Sequence, residues 1–503
     1  MNIGVITLLV WLLATFASAQ TFPELKLQTF LGSATHKERP YRIIKGSDKD
    51  FYIVGSRTDS LEQEDGLIYH ISNQGTLLWQ QIFQGKGNDW LEDGIYHHGD
   101  ACLYYVGATG TALKHEETSD PLFASDYWLG KIDPTGKVLW NKAFGGTESD
   151  IGKGIARLES GQLVVCGNSW SSDLQVKCNL PLNNDWLIKL SDEGQLLSQK
   201  CWGGKKNDWA ISISASADQG VIITGITTSE ELDNSKSRSM GDVYIQKLDS
   251  NLKVLWTRIF KEPYEDHIFR VIEGAGGMIY AVGSTFTKDN DKQFWLLKLN
   301  EKGETIVNKK WGGKGIEELT SVYECMDGEL IMCGYSFYTN LANAFIKGSK
   351  DIWVFKTDGV GNLVWQKTYG GPKDEYPADV VEGEPDWFYV VGTKENTFTN
   401  KDKSNKDDIW LLKIKETPCN DIKPMFVTDI HGNQTEVDVP IKFINQSVNC
   451  ERFLWEFGDG TTSTEKMPVK IYKKAGMYLP RLTAYTNEKC IQVYVSPKAV
   501  IIQ

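Results

Sequence analysis

The amino-acid sequence predicts an all-β protein whose larger part is a seven-bladed β-propeller. Three short phrases recur along the chain, and the most regular one returns seven times at intervals of 51 to 60 residues. The 503 residues exceed what one ordinary core holds, so a repeat array or several domains are expected. Aromatic residues and glycines are plentiful, with 17 Trp and 47 Gly, which favours short strands and tight turns over helices.

The most regular phrase ends in glycine, as in "FYIVGS", "LYYVGA" and "LVVCGN", while the other two have the forms "DYWLGKID" and "VLWNKAFGGTESD". The seven glycines of the first phrase are Gly55, Gly107, Gly167, Gly225, Gly283, Gly334 and Gly392. Each unit contains four strand-like runs, for example at 138–144, 151–158, 162–167 and 185–190. Four-stranded sheets repeated seven times, without helical periodicity, predict a β-propeller.

The stretch "NKAFGGTESDIGKG" at 141–154 has the look of a glycine-rich phosphate loop, but it is one copy of the repeat. A nucleotide site needs a single strand–loop–helix, whereas this segment returns as a strand and a turn. Gly152-Lys153-Gly154 also lacks the Walker spacing and its Ser or Thr. The sequence therefore argues against phosphate binding here, and no cofactor is predicted.

An aromatic column supplies a large apolar side chain to most blades, and these side chains are predicted to pack between neighbouring blades. The column consists of Leu67, Trp128, Trp186, Tyr244, Trp295, Trp353 and Trp410. The strand at 25–31 has no partners of its own blade, so it is predicted to pair with the strand at 409–414 and close the ring. Closure removes exposed strand edges, which otherwise invite aggregation.

The repeat "DYWLGKIDPTGKVLWNKAFGGTESDIGKGIARLESGQLVVCGNS" resembles the W-K-GG-D β-propeller repeats of bacterial secreted and cell-surface proteins. The resemblance covers residues 22–416, and blade 5 departs from it because Lys261-Glu262 replaces Gly-Gly. It implies that "IGKGIARL" is the innermost first strand of a blade, "WLGKID" a third strand and "VLWNKAF" the outermost fourth strand.

A polar segment at 417–435 is predicted to be a linker, and residues 436–503 resemble a PKD domain, which is an immunoglobulin-like β-sandwich. The residues that carry this likeness are Trp455, Phe457, Gly458, Asp459, Gly460, Tyr472, Gly476, Tyr478 and Leu482. Asp459 lies between two glycines and is predicted to be a turn residue rather than a catalyst. The resemblance implies a spacer or adhesion module.

The chain contains nine cysteines, and in an exported protein these can be oxidised to disulfides. The resemblance to PKD domains implies a disulfide between Cys450 and Cys490. Cys166 and Cys333 occupy one column of the repeat three blades apart, so they cannot pair with each other. Cys178 could reach Cys201 or stay free. The pairing of three further cysteines stays open, namely Cys102, Cys325 and Cys419.

Residues 1–19 are predicted to be a signal peptide, because an apolar run precedes Ala17-Ser18-Ala19, a small-x-small cleavage pattern. No later segment is apolar enough to cross a bilayer, so no transmembrane segment is predicted in the mature chain. The expected location is secreted or at the cell envelope, in the periplasm or on the outer surface. The net charge of −12 argues against a nucleic-acid partner, whose phosphates select basic surfaces.

A column of acidic residues lies where each fourth strand connects to the next first strand. Its members are Asp89, Asp150, Asp208, Asp266, Glu317 and Glu375. In one interpretation each carboxylate caps its own turn. In the other, the ring attracts a cation or a basic ligand. The sequence predicts no catalytic residue, and adjacent His97 and His98 point to opposite faces of a strand, so no metal site is predicted.

Long polar loops between second and third strands are expected on the same face of the propeller, where binding usually occurs. These loops are 108–125, 168–184, 226–241, 335–350 and 393–407. Their aromatic side chains could stack on sugars or peptides, and they include Trp170, Phe286, Phe337, Tyr338, Phe345 and Phe398.

These observations predict a non-catalytic exported binding or scaffold protein, whose propeller face and long loops engage a protein or polysaccharide partner at the cell envelope. One alternative is a polysaccharide-acting hydrolase or lyase, which would need paired carboxylates about 5 to 9.5 Å apart. Another is a structural subunit of a secretion or adhesion machine, which a large apolar surface patch would support. The partner and the oligomeric state stay open.

Overall fold

The chain forms two compact units, Leu25–Lys415 and Glu416–Gln503, and the described residues before Leu25 group with the second. The computed structural model describes residues 21–33, 35–47, 49–85, 87–110, 125–178, 180, 182–232, 241–262, 264, 266–312, 315–337, 350–395, 407–418, 423–486, 490–496 and 499–503. Within these residues the regular structure is β-strand, apart from short 3-10 turns at Glu230–Leu232, Ala275–Gly277 and His431–Asn433. The prediction of an all-β protein is confirmed.

The larger unit is built from strands β1 to β28. They are β1 (Thr21–Leu31), β2 (Lys37–Lys45), β3 (Asp50–Thr58), β4 (Glu64–Ser72), β5 (Leu77–Phe83), β6 (Asp89–His97), β7 (Cys102–Thr109), β8 (Asp126–Ile132), β9 (Val138–Phe144), β10 (Asp150–Arg157), β11 (Leu163–Ser169), β12 (Asn184–Leu190), β13 (Leu196–Trp202), β14 (Asp208–Ala215), β15 (Val221–Thr227), β16 (Asp242–Leu248), β17 (Val254–Phe260), β18 (Asp266–Glu273), β19 (Ile279–Phe286), β20 (Lys292–Leu299), β21 (Thr305–Trp311), β22 (Ile316–Glu324), β23 (Leu330–Phe337), β24 (Asp351–Thr357), β25 (Leu363–Tyr369), β26 (Glu375–Glu382), β27 (Trp387–Glu395) and β28 (Asp407–Pro418).

These strands form consecutive four-stranded sheets, which we number in chain order. Sheets 1 to 4 are β2–β5, β6–β9, β10–β13 and β14–β17. Sheets 5 and 6 are β18–β21 and β22–β25, joined by one parallel bridge between Lys292 and Ile316. In sheet 7, β1 is hydrogen-bonded beside β28, followed by β27 and β26. The predicted pairing of the amino-terminal strand with the strand at 409–414 is therefore confirmed.

The glycine of the repeat is explained by a β-bulge in the first strand of every sheet. In sheet 2 the register shifts between Leu91 and Asp93, so Glu92 is the extra residue. The bulge brings the carbonyl of Trp90 so close to Gly107 that a Cβ there would lie 1.9 Å from its oxygen. Only glycine fits this approach, which explains why the phrase always ends in glycine.

Each sheet packs on the next, and sheet 7 packs on sheet 1 through β26, β27 and β2. Every junction has its own apolar cluster. Trp128 lies in the cluster between sheets 1 and 2, Trp186 between sheets 2 and 3, and Trp410 between sheets 6 and 7. Trp186 contacts Tyr127 with ring centroids 4.7 Å apart. The predicted packing of the aromatic column between neighbouring sheets is confirmed, and the arrangement is propeller-like.

In four of the sheets, the lysine of the phrase "WLGKID" bonds to the next sheet. Lys189 Nζ donates to the Ser250 carbonyl of sheet 4 at 2.6 Å. Lys413 Nζ in sheet 7 donates to the Asn73 carbonyl in the turn between β4 and β5 of sheet 1 at 2.9 Å. Both ammonium groups are buried, so each bond replaces water that the lysine has lost. The bond of Lys413 helps to join the last sheet to the first.

The second unit is a β-structure of short strands with one apolar core. Its strands are β29 (Phe426–Thr428), β30 (Gln434–Thr435), β31 (Pro440–Asn445), β32 (Arg452–Glu456), β33 (Thr462–Ser463), β34 (Val469–Ile471), β35 (Gly476–Tyr478), β36 (Arg481–Thr486), β37 (Cys490–Val495) and β38 (Val500–Ile502). They form sheets in the orders β29-β31-β34, β30-β38-β35 and β33-β32-β36-β37. Because β29 and β30 lie within 417–435, part of the segment predicted as a linker belongs to this unit.

The residues of the predicted PKD motif form the centre and a turn of the second unit. Trp455 is fully buried, and its Nε1 donates to the Glu465 carbonyl at 2.8 Å. Asp459 accepts hydrogen bonds from the backbone nitrogen and the hydroxyl of Thr461, at 3.0 and 2.6 Å. Lys470 forms an ion pair with Asp459 at 2.6 Å. These contacts are those of a turn-forming aspartate, as the sequence predicts.

Cys178 and Cys201 form a disulfide, with their Cα atoms 5.6 Å apart. This decides the alternative that the sequence leaves open for the pair. Free and buried thiols are found at Cys102, Cys166, Cys325 and Cys333. Cys450 is a free, half-buried thiol, and its Sγ donates to the Val448 carbonyl at 3.1 Å. Cys419 and the side chain of Cys490 lie outside the described residues, and the disulfide between Cys450 and Cys490 stays a prediction that this geometry does not support. Among the residues described, no helix is both long and apolar enough to cross a membrane.

Candidate functional site

The predicted acidic column consists of buried side chains, and four of the six accept hydrogen bonds from the turns that precede them. All six carboxylates are 3 % exposed or less. Asp150 accepts a hydrogen bond from Gly146 N at 2.7 Å, and Asp208 accepts one from Gly204 N at 2.8 Å. Equivalent bonds to their own turns are made by Asp266 and Glu375. This geometry fits the capping interpretation, and a role of the column in ligand binding stays a prediction.

Burial shifts the proton affinity of this column. Burial raises the pKa of Asp150 to about 6, against opposing hydrogen bonds from Ser169 and Gly146. Burial likewise raises the pKa of Asp266 to about 6. These carboxyl groups therefore take up a proton more readily than solvent-exposed aspartates do.

Glu38 on β2 is a seventh member of the column that the sequence analysis missed. Burial, and then the neighbouring charge of Asp408, raise the pKa of Glu38 to about 7. Its position could have been found from spacing, because it precedes Gly55 by the same 17 residues that separate Asp150 from Gly167. The repeat phrase around Glu38 is mostly missing in sheet 1, so the pattern did not reveal this residue.

One cavity of about 480 Å³ is lined by the first strands of all seven sheets, so these strands surround a common axis. Four charged residues at the position directly after the bulge meet there, and we call them the axial cluster: Arg42, Asp93, Arg270 and Asp379. Arg42 Nε lies 3.0 Å from Asp93 Oδ1 and 3.4 Å from Asp379 Oδ2. Arg270 Nη1 of sheet 5 reaches Asp93 of sheet 2 at 3.7 Å, which spans the axis.

Backbone groups of the neighbouring strands fix the two carboxylates of the axial cluster. Ile43 N donates to Asp379 Oδ2 at 3.0 Å, and Ile155 N donates to Asp93 Oδ2 at 3.3 Å. Burial and the nearby guanidinium of Arg42 lower the pKa of Arg270 to about 10. Arg270 therefore stays a cation at neutral pH, in a site where each carboxylate already has a guanidinium partner.

On the outer side of the axial cluster, each first strand contributes two less buried positions. We call these residues the channel mouth. The position after the capping carboxylate holds Arg39, Trp90, Ile151, Trp209, His267, Glu318 and Tyr376. The bulge position holds Tyr41, Glu92, Lys153, Ile211, Phe269, Thr320 and Ala378. The channel mouth thus combines aromatic side chains with charges of both signs.

Contacts within the channel mouth hold these side chains in place. Trp90 Nε1 donates to Glu92 Oε1 at 2.9 Å, and Lys153 Nζ binds the same carboxylate. Lys350 Nζ donates to the Tyr376 hydroxyl at 2.9 Å and lies 4.6 Å from the centroid of its ring. Tyr376 keeps 38 % of its surface exposed. Ordered, partly exposed aromatic rings of this kind suit stacking on a ligand.

The predicted loops contribute less to the described surface. Trp170 in the loop 168–184 is 41 % exposed. The disulfide of Cys178 holds this loop on β13. Phe286 and Phe337 are half-buried at strand ends. Tyr338, Phe345 and Phe398 lie outside the described residues, as does most of the loops 108–125, 335–350 and 393–407.

The charged side chains of the axial cluster form ion pairs of opposite sign. Asp93 and Asp379 are both bound to Arg42, so neither is placed as a free acid or base. In the part of the chain that the structure describes, no group of three or more His, Cys, Asp or Glu side chains is arranged to hold a metal ion.

The comparisons with known proteins agree with this architecture. Residues 425–496 match the family model of the PKD domain, so the second unit contains a PKD domain. The PKD1 domain of Vibrio anguillarum Epp is similar to this chain, with 21% identity over 16% of this chain and 96% of that chain, and a TM-score of 0.14. No curated protein matches the sequence.

Solved structures similar to the larger part of the chain include the WD40 domain of Neurospora crassa Pan2. It shows 9% identity, covering 78% of this chain and 96% of that chain, with a TM-score of 0.46. A protein of unknown function from Dyadobacter fermentans shows 9% identity, covering 78% of this chain and 99% of that chain, with a TM-score of 0.42. The sheets of the larger unit and the family match together define an all-β, propeller-like protein with a PKD domain at residues 425–496.

Proposed function

We propose that this chain is a non-catalytic exported binding or scaffold protein. In this proposal the seven sheets are the blades of a closed propeller of the W-K-GG-D type, and the PKD domain is a spacer or adhesion module. The propeller face engages a protein or polysaccharide partner at the cell envelope. The PKD domain supports an extracellular role, and the small-x-small pattern at Ala17-Ser18-Ala19 supports export.

The observation that carries the proposal is the channel mouth. Trp90, Trp209, His267 and Tyr376 stand at one equivalent position of four different sheets, and each keeps part of its surface open. Aromatic faces beside charged groups bind sugars and peptides through apolar area together with directional hydrogen bonds. A rigid ring of strands holds the groups in place, so little side-chain entropy is lost on binding.

The structure favours binding over hydrolysis at this site. A glycosidase needs one carboxyl that protonates the leaving group and a second that acts as nucleophile or base. The two aspartates of the axial cluster are instead engaged with guanidinium and backbone donors. Glu92 in the channel mouth is bonded to Trp90 and Lys153. These carboxylates are positioned as hydrogen-bond acceptors.

The test uses the full mature chain on a glycan array and in pull-downs from an envelope extract. Trp209→Ala removes a half-buried ring of the channel mouth, and Leu255→Ala on the outer strand β17 is the matched control, because Leu255 is 51% exposed. We expect Trp209→Ala to weaken binding of the selected ligand at least about tenfold, since aromatic anchors at the centre of a binding site are worth about 2 kcal/mol or more. Leu255→Ala should bind as the parent does. Cleavage of a bound glycan, or equal binding by both variants, would contradict the proposal.

A further inference from the structure

The axial cavity lies on the inner side of the axial cluster, away from the channel mouth. Along each first strand the residues of the channel mouth come first, the axial cluster follows, and the cavity wall comes last. The walls are mainly β-branched and small residues, among them Ile95, Ile213, Ile272 and Val380. The axial cluster forms the polar end of this apolar space. An apolar cavity with a few convergent polar groups is the usual form of a small-molecule site.

Arg270 has donor capacity that its protein partners do not use. Its Nε is buried and has no hydrogen-bond acceptor among the described residues. Its Nη1 lies 3.7 Å from Asp93 Oδ1, which is longer than a direct hydrogen bond. A guanidinium presents five N–H donors in a planar fork. Because Arg270 lines the cavity, an acceptor bound there would meet these donors.

The charged groups at the open end of the cavity are already committed to backbone partners. Lys45 Nζ donates to the Gly383 carbonyl. Glu273 accepts from Ala217 N at 3.0 Å, and Glu324 accepts from Ala275 N at 2.6 Å. Polar recognition inside the cavity therefore falls to the axial cluster.

We infer that the axial cavity binds a small amphipathic carboxylate, with its carboxylate on Arg270 and its aliphatic chain along the isoleucine and valine walls. A planar carboxylate matches the guanidinium fork in two-pronged geometry. A single negative charge is favoured, because Asp93 and Asp379 at the same level repel an anion of higher charge. The volume of about 480 Å³ lies within the range of roughly 300–1,000 Å³ that small-molecule sites occupy. This site goes beyond the proposed function, which concerns the opposite end of the channel.

The first experiment is calorimetric titration of the full mature chain with decanoate at pH 7.5. Acetate tests the contribution of the aliphatic chain, and decanol and decylamine test the carboxylate. We expect decanoate to bind at least about tenfold more tightly than each of the three, which is about 1.4 kcal/mol. No binding of decanoate, or equal binding of decylamine or decanol, would overturn the inference.

Two variants test separately the contact with the ligand's carboxylate and the contact with its aliphatic chain. Arg270→Met removes the proposed partner, while Asp93 keeps Arg42 at 3.0 Å, so no aspartate is left without a cation. Ala215→Phe fills the cavity from a half-buried wall position and leaves the axial cluster intact. We expect each to weaken decanoate binding at least about tenfold. Unchanged affinity in Ala215→Phe, whose folding is checked by circular dichroism, would overturn the inference.

The same measurements keep this inference separate from the proposed function. Trp209→Ala should bind decanoate as the parent does, because Trp209 lies outside the cavity lining. A decanoate site in a protein whose channel mouth binds no partner would leave the inference standing. Loss of decanoate binding in Trp209→Ala would contradict the assignment to the axial cavity.

Discussion

Glu38 and Asp408 illustrate how burial destabilises the charged form of single residues in the repeat. Both carboxyl groups are buried, and each has an oxygen within 3 Å of the place that a Cβ on Gly32 would take. In sheet 3 the position equivalent to Asp408 is occupied by an amide, Asn184. Asn184 and Asp208 both lie beside Gly203, as Asp408 and Glu38 both lie beside Gly32. An acidic pair at this point therefore costs stability when both members are charged.

The pH dependence of stability follows from these shifts. The folded-state pKa is about 7 for Glu38 and about 6 for Asp150 and Asp266, against ordinary values of 4.5 and 3.8. A carboxyl group whose pKa is raised in the folded state contributes stability that is fully present below about pH 4. This contribution is lost as the pH rises through 6 to 7, because the buried group must then ionise. We predict that the free energy of unfolding rises as the pH falls from 7.5 to 5. Burial lowers the pKa of His70, which acts in the opposite direction below pH 6.5.

The variant Asp408→Asn tests whether the charge of Asp408 causes this pH dependence. The free energy of unfolding of the parent and the variant is measured by urea unfolding at several pH values between 4.5 and 7.5. Removing the charge of Asp408 lowers the pKa of Glu38, so the variant should gain on the order of 1 kcal/mol at pH 7.5 and little at pH 4.5. Its dependence on pH should be flatter than that of the parent. A gain of equal size at both pH values would show that the charge of Asp408 is not the cause.

At the scale of elements, each sheet is joined to the next by an apolar junction, and four junctions also have a lysine that reaches across them. Trp79, Trp140 and Trp256 on the outermost strands add a further link, since each indole nitrogen donates to a carbonyl in the following sheet at 2.8 to 3.0 Å. These links repeat with the sequence, so the sheets act as similar modules.

Lys413 tests the junction that joins sheet 7 to sheet 1. In Lys413→Met the aliphatic stem is kept but the bond to the Asn73 carbonyl is lost, which leaves this half-buried acceptor with the Tyr389 hydroxyl as its donor. We predict a loss of about 1–3 kcal/mol of unfolding free energy, measured by urea unfolding. Lys206→Met is the control, because Lys206 and Glu230 form an ion pair at 50% and 43% exposure, where such pairs contribute about 0–1 kcal/mol. Equal effects of the two substitutions would contradict a special role for Lys413.

For the whole molecule, the decisive feature is the strand from the start of the chain that completes the last sheet. Phe30 of β1 stacks beside Trp410 with ring centroids 6.3 Å apart, and Leu25 packs on the same cluster. The strand thereby covers the edge of β28 and part of the junction with sheet 6.

Deletion of 21–31 from the mature chain is predicted to lower the midpoint of thermal unfolding and to cause concentration-dependent association. The deletion exposes the edge of β28, and an uncovered edge pairs with other chains. Size-exclusion chromatography coupled to light scattering measures the association, and a chain that begins at residue 21 is the control. A monomeric deletion variant with an unchanged midpoint would contradict the role given to β1.

Several features of the molecule could be predicted from the sequence because they repeat. The glycine at the bulge, the aromatic column and the pairing of β1 each follow from a pattern that returns every 51 to 60 residues. Glu38 escaped notice because its copy of the phrase is degenerate. β29 and β30, which precede the boundary at 436 that the sequence predicts, are only three and two residues long. Such short strands leave no periodic signal.

By itself, the sequence determined which strands of each sheet are buried, because the same apolar runs recur in every copy, and β7, β8, β11 and β12 are buried along their whole length. Only the tertiary structure decided that Arg42, Asp93, Arg270 and Asp379 meet. They are unlike residues from four sheets, and the outermost two are 337 positions apart. Their contact depends on first strands of non-neighbouring sheets lining one cavity, and no local pattern encodes that approach.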